Sequence, residues 1–239
     1  MSTALSPQMT AVVNALHEAR HTHSKNAAAL TDIEHALTRY KQQKAETESE
    51  SRQAEGQWRT LFRQLRGEMT PALQAQHHER ISKRELAREF DGLIEEITLD
   101  KMGLHLDCVN SGLALEKAHQ TALQAFTDEA LATAIQAIDA AIVQAWVTVR
   151  RAYDTYQEAP QAVLEQRLMQ ALQARITQCA KTLDDTALLD GAPVLKDIGL
   201  ARPATPGVLD RLRSGPLARR RYAQELQAKR AQLAGKQED

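Results

Sequence analysis

Aromatic side chains are scarce in this chain: 2 Trp, 4 Tyr and 3 Phe among 239 residues, or 4%. So few large side chains leave little material for a thick globular core, which points to long helical contacts completed by a partner chain. Glycine and proline number only 10 and 7, fewer punctuators than a sheet-based enzyme with many tight turns requires. The two cysteines, Cys108 and Cys179, provide no disulfide framework and fit a reducing compartment. No run of 18 apolar residues exists to span a bilayer, so no membrane partner is expected. The opening "MSTALSPQMT" has no basic segment followed by an apolar one, so no signal peptide is expected. A formal net charge of −1 removes any bulk electrostatic argument for nucleic acid or an anionic surface as partner. A soluble cytosolic protein is the expectation.

What the chain has in quantity is Ala, Leu, Gln, Glu, Arg and Lys, the composition of long helices. The mean hydropathy is −0.46 although 43% of residues are apolar, so the apolar residues should be sorted into stripes. Ser6-Pro7 reads as an N-cap followed by proline in the first turn. Met9, Val12, Leu16, Ala19, His23, Asn26, Leu30, Ile33, Leu37 and Tyr40 then follow alternating three- and four-residue steps, a heptad seam with a polar layer at His23 and Asn26. The spacing predicts that this helix fades in the acidic stretch Lys44 to Gly56 and that "WRTLFRQLRG" is a separate short helix ended by Gly67. Thr70-Pro71 repeats the start signal and opens a long stripe through Leu104. Gly92, Gly103 and Gly112 each weaken that helix by about 1 kcal/mol relative to Ala, marking kinks or close crossings.

Thr127-Asp128 reads as a further start, followed by the stripe Leu131, Ile135, Ile138, Ile142, Trp146, Val149, Tyr153, Tyr156. Pro160 ends that helix or opens the next, which carries Leu164, Leu168, Leu172, Ile176, Cys179 and Leu183. "LLDGAPVLKDIGLARPATPG" is a Pro/Gly-rich structured loop, and Gly215-Pro216 opens a basic last helix with Arg219, Arg220 and Arg221. No strand pattern is present, so the fold class is all-α and elongated, with coiled-coil-like packing. The expected divisions are 1–55, the heptad helix and acidic hinge; 56–184, a central long-helix bundle; and 185–239, the Pro/Gly-rich segment and basic helix.

The most pointed motif is "HEARH", His17 to His21, which matches the His-Glu-x-x-His pattern of zinc peptidases. In the extended form of that motif glycine would stand at Ser24 and histidine at Ala27, and neither does. Glu34 and Glu46 are carboxylates that could serve as a third ligand, but Glu34 lies far along the same helix. His17 also follows the seam residue Leu16, placing both imidazoles on the seam's flank. The reading is a histidine-rich helix, with no metal, cofactor or catalytic residue expected. His77, His78, Glu79 and Arg80 point in different directions around a helix and do not converge for acid–base work. Arg80, Lys83, Arg84 and Arg88 share one side, interleaved with Glu79, Glu85 and Glu89, so a salt-bridged surface competes with an anion-binding one.

"WRTLF", "HHERISKRELAREFDGL" from His77 to Leu93, "GAPVLKDIGL" from Gly191 to Leu200, and the ending "PLARRRYAQELQAKRAQLAG" resemble the capsid size-determination (Sid) family of satellite bacteriophages. The likeness spans most of the chain in the same order, strongest from Trp58 to Leu93 and thin between Leu113 and Leu183. The family lacks a His-Glu-x-x-His at the position of His17 to His21. The resemblance implies a non-enzymatic external scaffold that forms a lattice over a helper phage's procapsid, touches the major capsid protein and enforces a smaller shell. It also implies a location in the bacterial host cytoplasm on the outside of procapsids, with absence from mature virions. Self-association into dimer or trimer nodes is assigned to Trp146, Val149, Tyr153 and Tyr156 and to Pro193, Val194, Leu195 and Leu200. The capsid contact is assigned to Arg80, Lys83, Arg84 and Arg88 or to Arg219, Arg220 and Arg221. The alternative is a helical regulator that binds a host protein such as a transcription termination factor.

Overall fold

The computed structural model describes residues 6–156 and 161–237. Every regular element among them is a helix: α1 (Pro7–Gln64), α2 (Pro71–Gln136), α3 (Ala140–Tyr156), α4 (Gln161–Ala180), α5 (Asp185–Gly191), α6 (Pro193–Ile198), α7 (Asp210–Arg213) and α8 (Pro216–Gln237). The proline starts hold. The Ser6 hydroxyl accepts from the Met9 amide at 3.1 Å and the Thr70 hydroxyl from the Leu73 amide at 3.4 Å, each supplying an acceptor for an amide with no partner inside its helix.

The acidic stretch is not a hinge. α1 runs through Lys44 to Gly56 without interruption, and "WRTLFRQ" forms its last turns. The seven-residue period continues there through Lys44, Thr47, Ser51, Ala54, Trp58 and Leu61, all at least half-buried. The pattern was hard to see because small and polar residues occupy the seam. Thr47 stays buried by turning its hydroxyl back onto the Gln43 carbonyl at 2.8 Å. Helix α1 ends where Gly67, at φ +86°, donates its amide to the Phe62 carbonyl at 3.0 Å, a left-handed cap that suits glycine. Thr127-Asp128 is likewise no start, because α2 continues to Gln136. The break comes at Asp139, whose carboxylate accepts from the Ala141 amide at 2.7 Å. Pro160 lies outside the described residues.

The chain divides into two compact units. One is Met1–His17 with Glu116–Pro203, and the other is Glu18–Leu115 with Ala204–Asp239. In the second unit α1 pairs with α2, which answers with its own period of seven: Leu73, Arg80, Ala87, Ile94, Lys101, Cys108 and Leu115 are all half-buried or buried. The seam is therefore satisfied within the chain. Its polar layer closes on Ser111, whose hydroxyl donates to the Asp107 carbonyl at 2.7 Å. The same oxygen then accepts from Asn26 Nδ2 at 3.1 Å and His23 Nδ1 at 3.0 Å, which places the His23 proton on Nδ1. Another face of α2 carries Leu99, Met102 and Val109, which form the core with Leu212, Tyr222 and Leu226 of α7 and α8.

Two glycines admit the loop before α7. A Cβ on Gly112 would lie 2.7 Å from Val208 Cγ2, and one on Gly207, at φ +76°, 2.8 Å from Leu30 Cδ2. Gly112 is thus a close crossing rather than a kink, whereas nothing lies within 4 Å of Gly92. Gly92→Ala should raise stability by up to about 1 kcal/mol through helix propensity. Gly112→Ala should instead lower it by roughly 1–3 kcal/mol through overpacking, with both changes read from urea unfolding.

His105 is hydrogen-bonded to the Gly207 backbone, and its Nδ1 is buried without a partner. Burial lowers its pKa, the Gly207 hydrogen bond opposes that, and Lys101 lowers it further. Glu34 and Arg211 exert smaller and opposite effects. Because the unfolded chain takes up this proton more readily, His105 contributes stability above the unfolded pKa of about 6.5 and loses it as pH falls. The urea midpoint should drop on acidification from pH 7.5 to 5.5, and by less in His105→Gln.

Candidate interaction surfaces

Three kinds of surface emerge from this framework. The first is apolar and open. From Thr127 to Gly191, among side chains the structure describes, only Trp146, Leu168, Leu172 and Leu189 are even half-buried, and none is buried. Leu131, Ile135, Ile138, Ile142, Val143 and Val147 are 40–61% exposed along the end of α2 and α3; Met169 and Ile176 of α4 are 63% and 65% exposed. A helix pair stable in water needs a buried face, and among their described side chains α3 and α4 offer only the half-buried Trp146, Leu168 and Leu172. Of the residues assigned to self-association, Trp146 is half-buried and Val149 is 42% exposed. The side chains of Tyr153 and Tyr156 lie outside the described residues. The exposed apolar residues of α4 were missed as part of this surface, although Met169 and Ile176 stand in the same alternation of apolar and polar positions.

The second surface is largely closed. Leu195 is 3% exposed and Ile198 1%, so Leu195 packs inside its own chain and is removed from the intermolecular set. Pro193 is exposed, Val194 half-buried, and Leu200 37% exposed. Two histidines secure this segment. His17 Nε2 donates to the Asp197 carboxylate at 2.7 Å, and His119 Nε2 donates to the Gly199 carbonyl at 2.9 Å. Arg202 pairs with Glu116 just beyond. The first histidine of "HEARH" thus anchors a segment 180 residues away. Among the described residues no group of three His, Cys, Asp or Glu side chains is placed to hold a metal ion.

The third is basic, and the structure splits the predicted groups. Arg80 lies over the Trp58 ring, 4.2 Å from its centroid, and donates to Glu55 at 2.9 Å. Lys83 pairs with Glu79 at 2.9 Å and Glu50 at 3.5 Å. Both serve the α1–α2 seam, whereas Arg84 and Arg88 are exposed. In α8, Arg219 donates to the Leu212 carbonyl at 3.1 Å, leaving Arg220 and Arg221 outward. Arg52 of α1 was not singled out by sequence; it flanks Ser51, a seam residue visible only once the period is carried through the acidic stretch.

Over 224 residues the chain is 26% identical to Glycoprotein 3 of Enterobacteria phage P4, a match covering 91% of each protein. A solved structure, "Satellite phage P4 procapsid including size determination (Sid) protein", contains a chain matching this one with a TM-score of 0.78 and 25% identity. That match covers 96% of this chain and 99% of the other. This chain is similar to the P4 size-determination protein. No protein-family model matches it. The likeness to Sid extends through α3 and α4, where the quoted sequence blocks were thinnest, so the open apolar helices belong to the shared fold.

Leu195 gives a direct check on which Sid-like surfaces are internal. Leu195→Ala should cost roughly 2–5 kcal/mol, seen as a drop in urea midpoint from wild type that is the same at every protein concentration. Loss of an intermolecular contact would make the size of that drop concentration-dependent.

Proposed function

We propose that this protein is an external scaffold for capsid assembly, one that binds the major capsid protein of a helper phage and redirects assembly toward a smaller shell. The observation that carries this reading is the end-to-end match to a protein that sits in a procapsid and determines its size. The open α3–α4 surface supports it, since helices with no buried side chain among those described have their fold completed by neighbours. Second copies meet there, at Trp146, Val149, Tyr153 and Tyr156 together with the exposed apolar residues of α4, forming the symmetric nodes of a cage. Pro193, Val194 and Leu200 border the segment anchored by His17 and His119 and supply a subsidiary self-contact. The capsid contacts use Arg84 and Arg88, with Arg220 and Arg221 on α8.

The mechanism is physical rather than chemical, with no enzymatic step. Each node contact can be weak, because many act together across one shell. Size is then a population shift: a cage that fits tight curvature better than shallow curvature lowers the free energy of small shells relative to large ones. The protein acts in the bacterial cytoplasm on the outside of procapsids and is absent from mature virions.

Co-expression with a supporting helper's major capsid protein, imaged by electron microscopy, tests this reading. Small shells bearing external density are expected, with larger shells when the protein is omitted. Ile142→Glu with Val149→Glu should leave the monomer folded, abolish self-association and return shells to the large size. Unchanged shell size and no bound protein with the wild-type chain would sink the scaffold reading.

A further inference from the structure

Midway along the second unit, α1 and α2 flank an open, shallow cleft of about 320 Å³ lined by Glu48, Ser51, Arg52, Arg84, Ala87, Arg88 and Asp91. It exists because the facing seam positions hold Ser51 and Ala87, side chains too small to fill the space that leucines fill elsewhere. Its rim is where the chemistry lies. Both carboxylates are taken by Lys44, which pairs with Asp91 and lies 3.3 Å from Glu48. Those two bonds, Asp91 first, hold the Lys44 pKa above its ordinary value. Arg52, Arg84 and Arg88 have no ion pair or hydrogen bond to any described residue. Three guanidiniums therefore line one small cleft, with the local acids already engaged.

We propose that this cleft is a docking site for an acidic segment of a protein partner, whose carboxylates are gripped by Arg52, Arg84 and Arg88. Arginine matches a planar carboxylate with paired N–H donors, an arrangement lysine cannot reproduce. The floor of Ser51 and Ala87 lets a side chain enter between the helices. A nucleic acid is disfavoured because acidic residues outnumber basic ones across residues 44–55 and 79–91. The surrounding field therefore does not track a long phosphate backbone, whereas a short acidic segment needs only the positive charge confined to this one pocket. For the identity of the partner, the capsid subunit, the assignment rests on the scaffold reading; for the chemistry of the cleft it does not.

The site is tested on the full-length protein with fluorescein-labelled octaglutamate, by anisotropy at low salt. Saturable binding is expected, weakened at least tenfold in Arg52→Gln/Arg84→Gln/Arg88→Gln and unchanged in Arg150→Gln, which lies outside the cleft. The triple variant should unfold at the wild-type urea concentration or above, since it loses no internal partner. A merely structural role for these arginines would lower it. Absence of binding, equal binding by the triple variant, or tighter binding of a single-stranded oligonucleotide or of inorganic phosphate at the same residues would each overturn the proposal. In the co-expression assay, small shells with wild-type protein and equally small shells with the triple variant would overturn the capsid subunit as the occupant while leaving the scaffold intact. If the wild-type chain forms no small shells, the scaffold reading fails, and the octaglutamate titration still decides the cleft.

Discussion

The pairing of two long helices on a shared seven-residue period is the constraint from which the rest of the structure follows. A repeat of seven keeps one face of a helix against its neighbour over many turns, and α1 keeps it from Met9 to Leu61 even where the residues are small or charged. The Leu, Ile and Val positions supply most of the favourable burial. The ion pairs along the flanks, such as Lys101–Glu34 at 2.8 Å and Arg80–Glu55 at 2.9 Å, are partly exposed and contribute little individually. What they add is register: a shift of one turn would strand Arg80 away from both Trp58 and Glu55.

The second helix does two jobs. One face of α2 meets α1, while Leu99, Met102 and Val109 meet α7 and α8 around Tyr222. The connecting loop reaches this junction only because Gly112 and Gly207 leave room for Val208, Leu30 and Cys108. Cys108 is fully buried there, and its thiol pKa is raised chiefly by burial, the condition of an apolar filler rather than a nucleophile. The polar layer of His23, Asn26 and Ser111 is joined through the one Ser111 hydroxyl, whereas His105 keeps a buried Nδ1 with no partner.

The first unit behaves differently. Its 193–200 segment is tightly seated, anchored by His17 and His119, yet α3 and α4 lack a buried side chain among those described. Such helices are costly in a monomer and natural in an assembly, where apolar area hidden at a node supplies the burial the single chain lacks. Contacts of this kind are individually modest and collectively strong, so an assembly built on them can form and come apart readily.

The proline-marked starts of α1, α2 and α8, the all-α class and the heptad of α1 were legible in the sequence because each is written within a few residues: a cap, a proline, a three-four step. The seam between Lys44 and Gly56 was not, because periodicity is read through hydrophobicity and Thr47, Ser51 and Ala54 carry little of it. The stripe through Trp146 and the segment around Leu195 look alike as sequence, since both are apolar residues awaiting a cover. Only the tertiary structure decides that Leu195 is covered by its own chain while Ile142 and Val149 of the Trp146 stripe stay exposed. The same holds for the sites: the sequence reads "HEARH" as part of a histidine-rich helix but does not show that His17 meets Asp197, 180 residues away, and Arg80 reads like Arg84 until Trp58 and Glu55 claim it. Local chemistry determines which elements form. Burial and charge pairing depend on neighbours distant in the chain, and these settle which residues remain available to a partner.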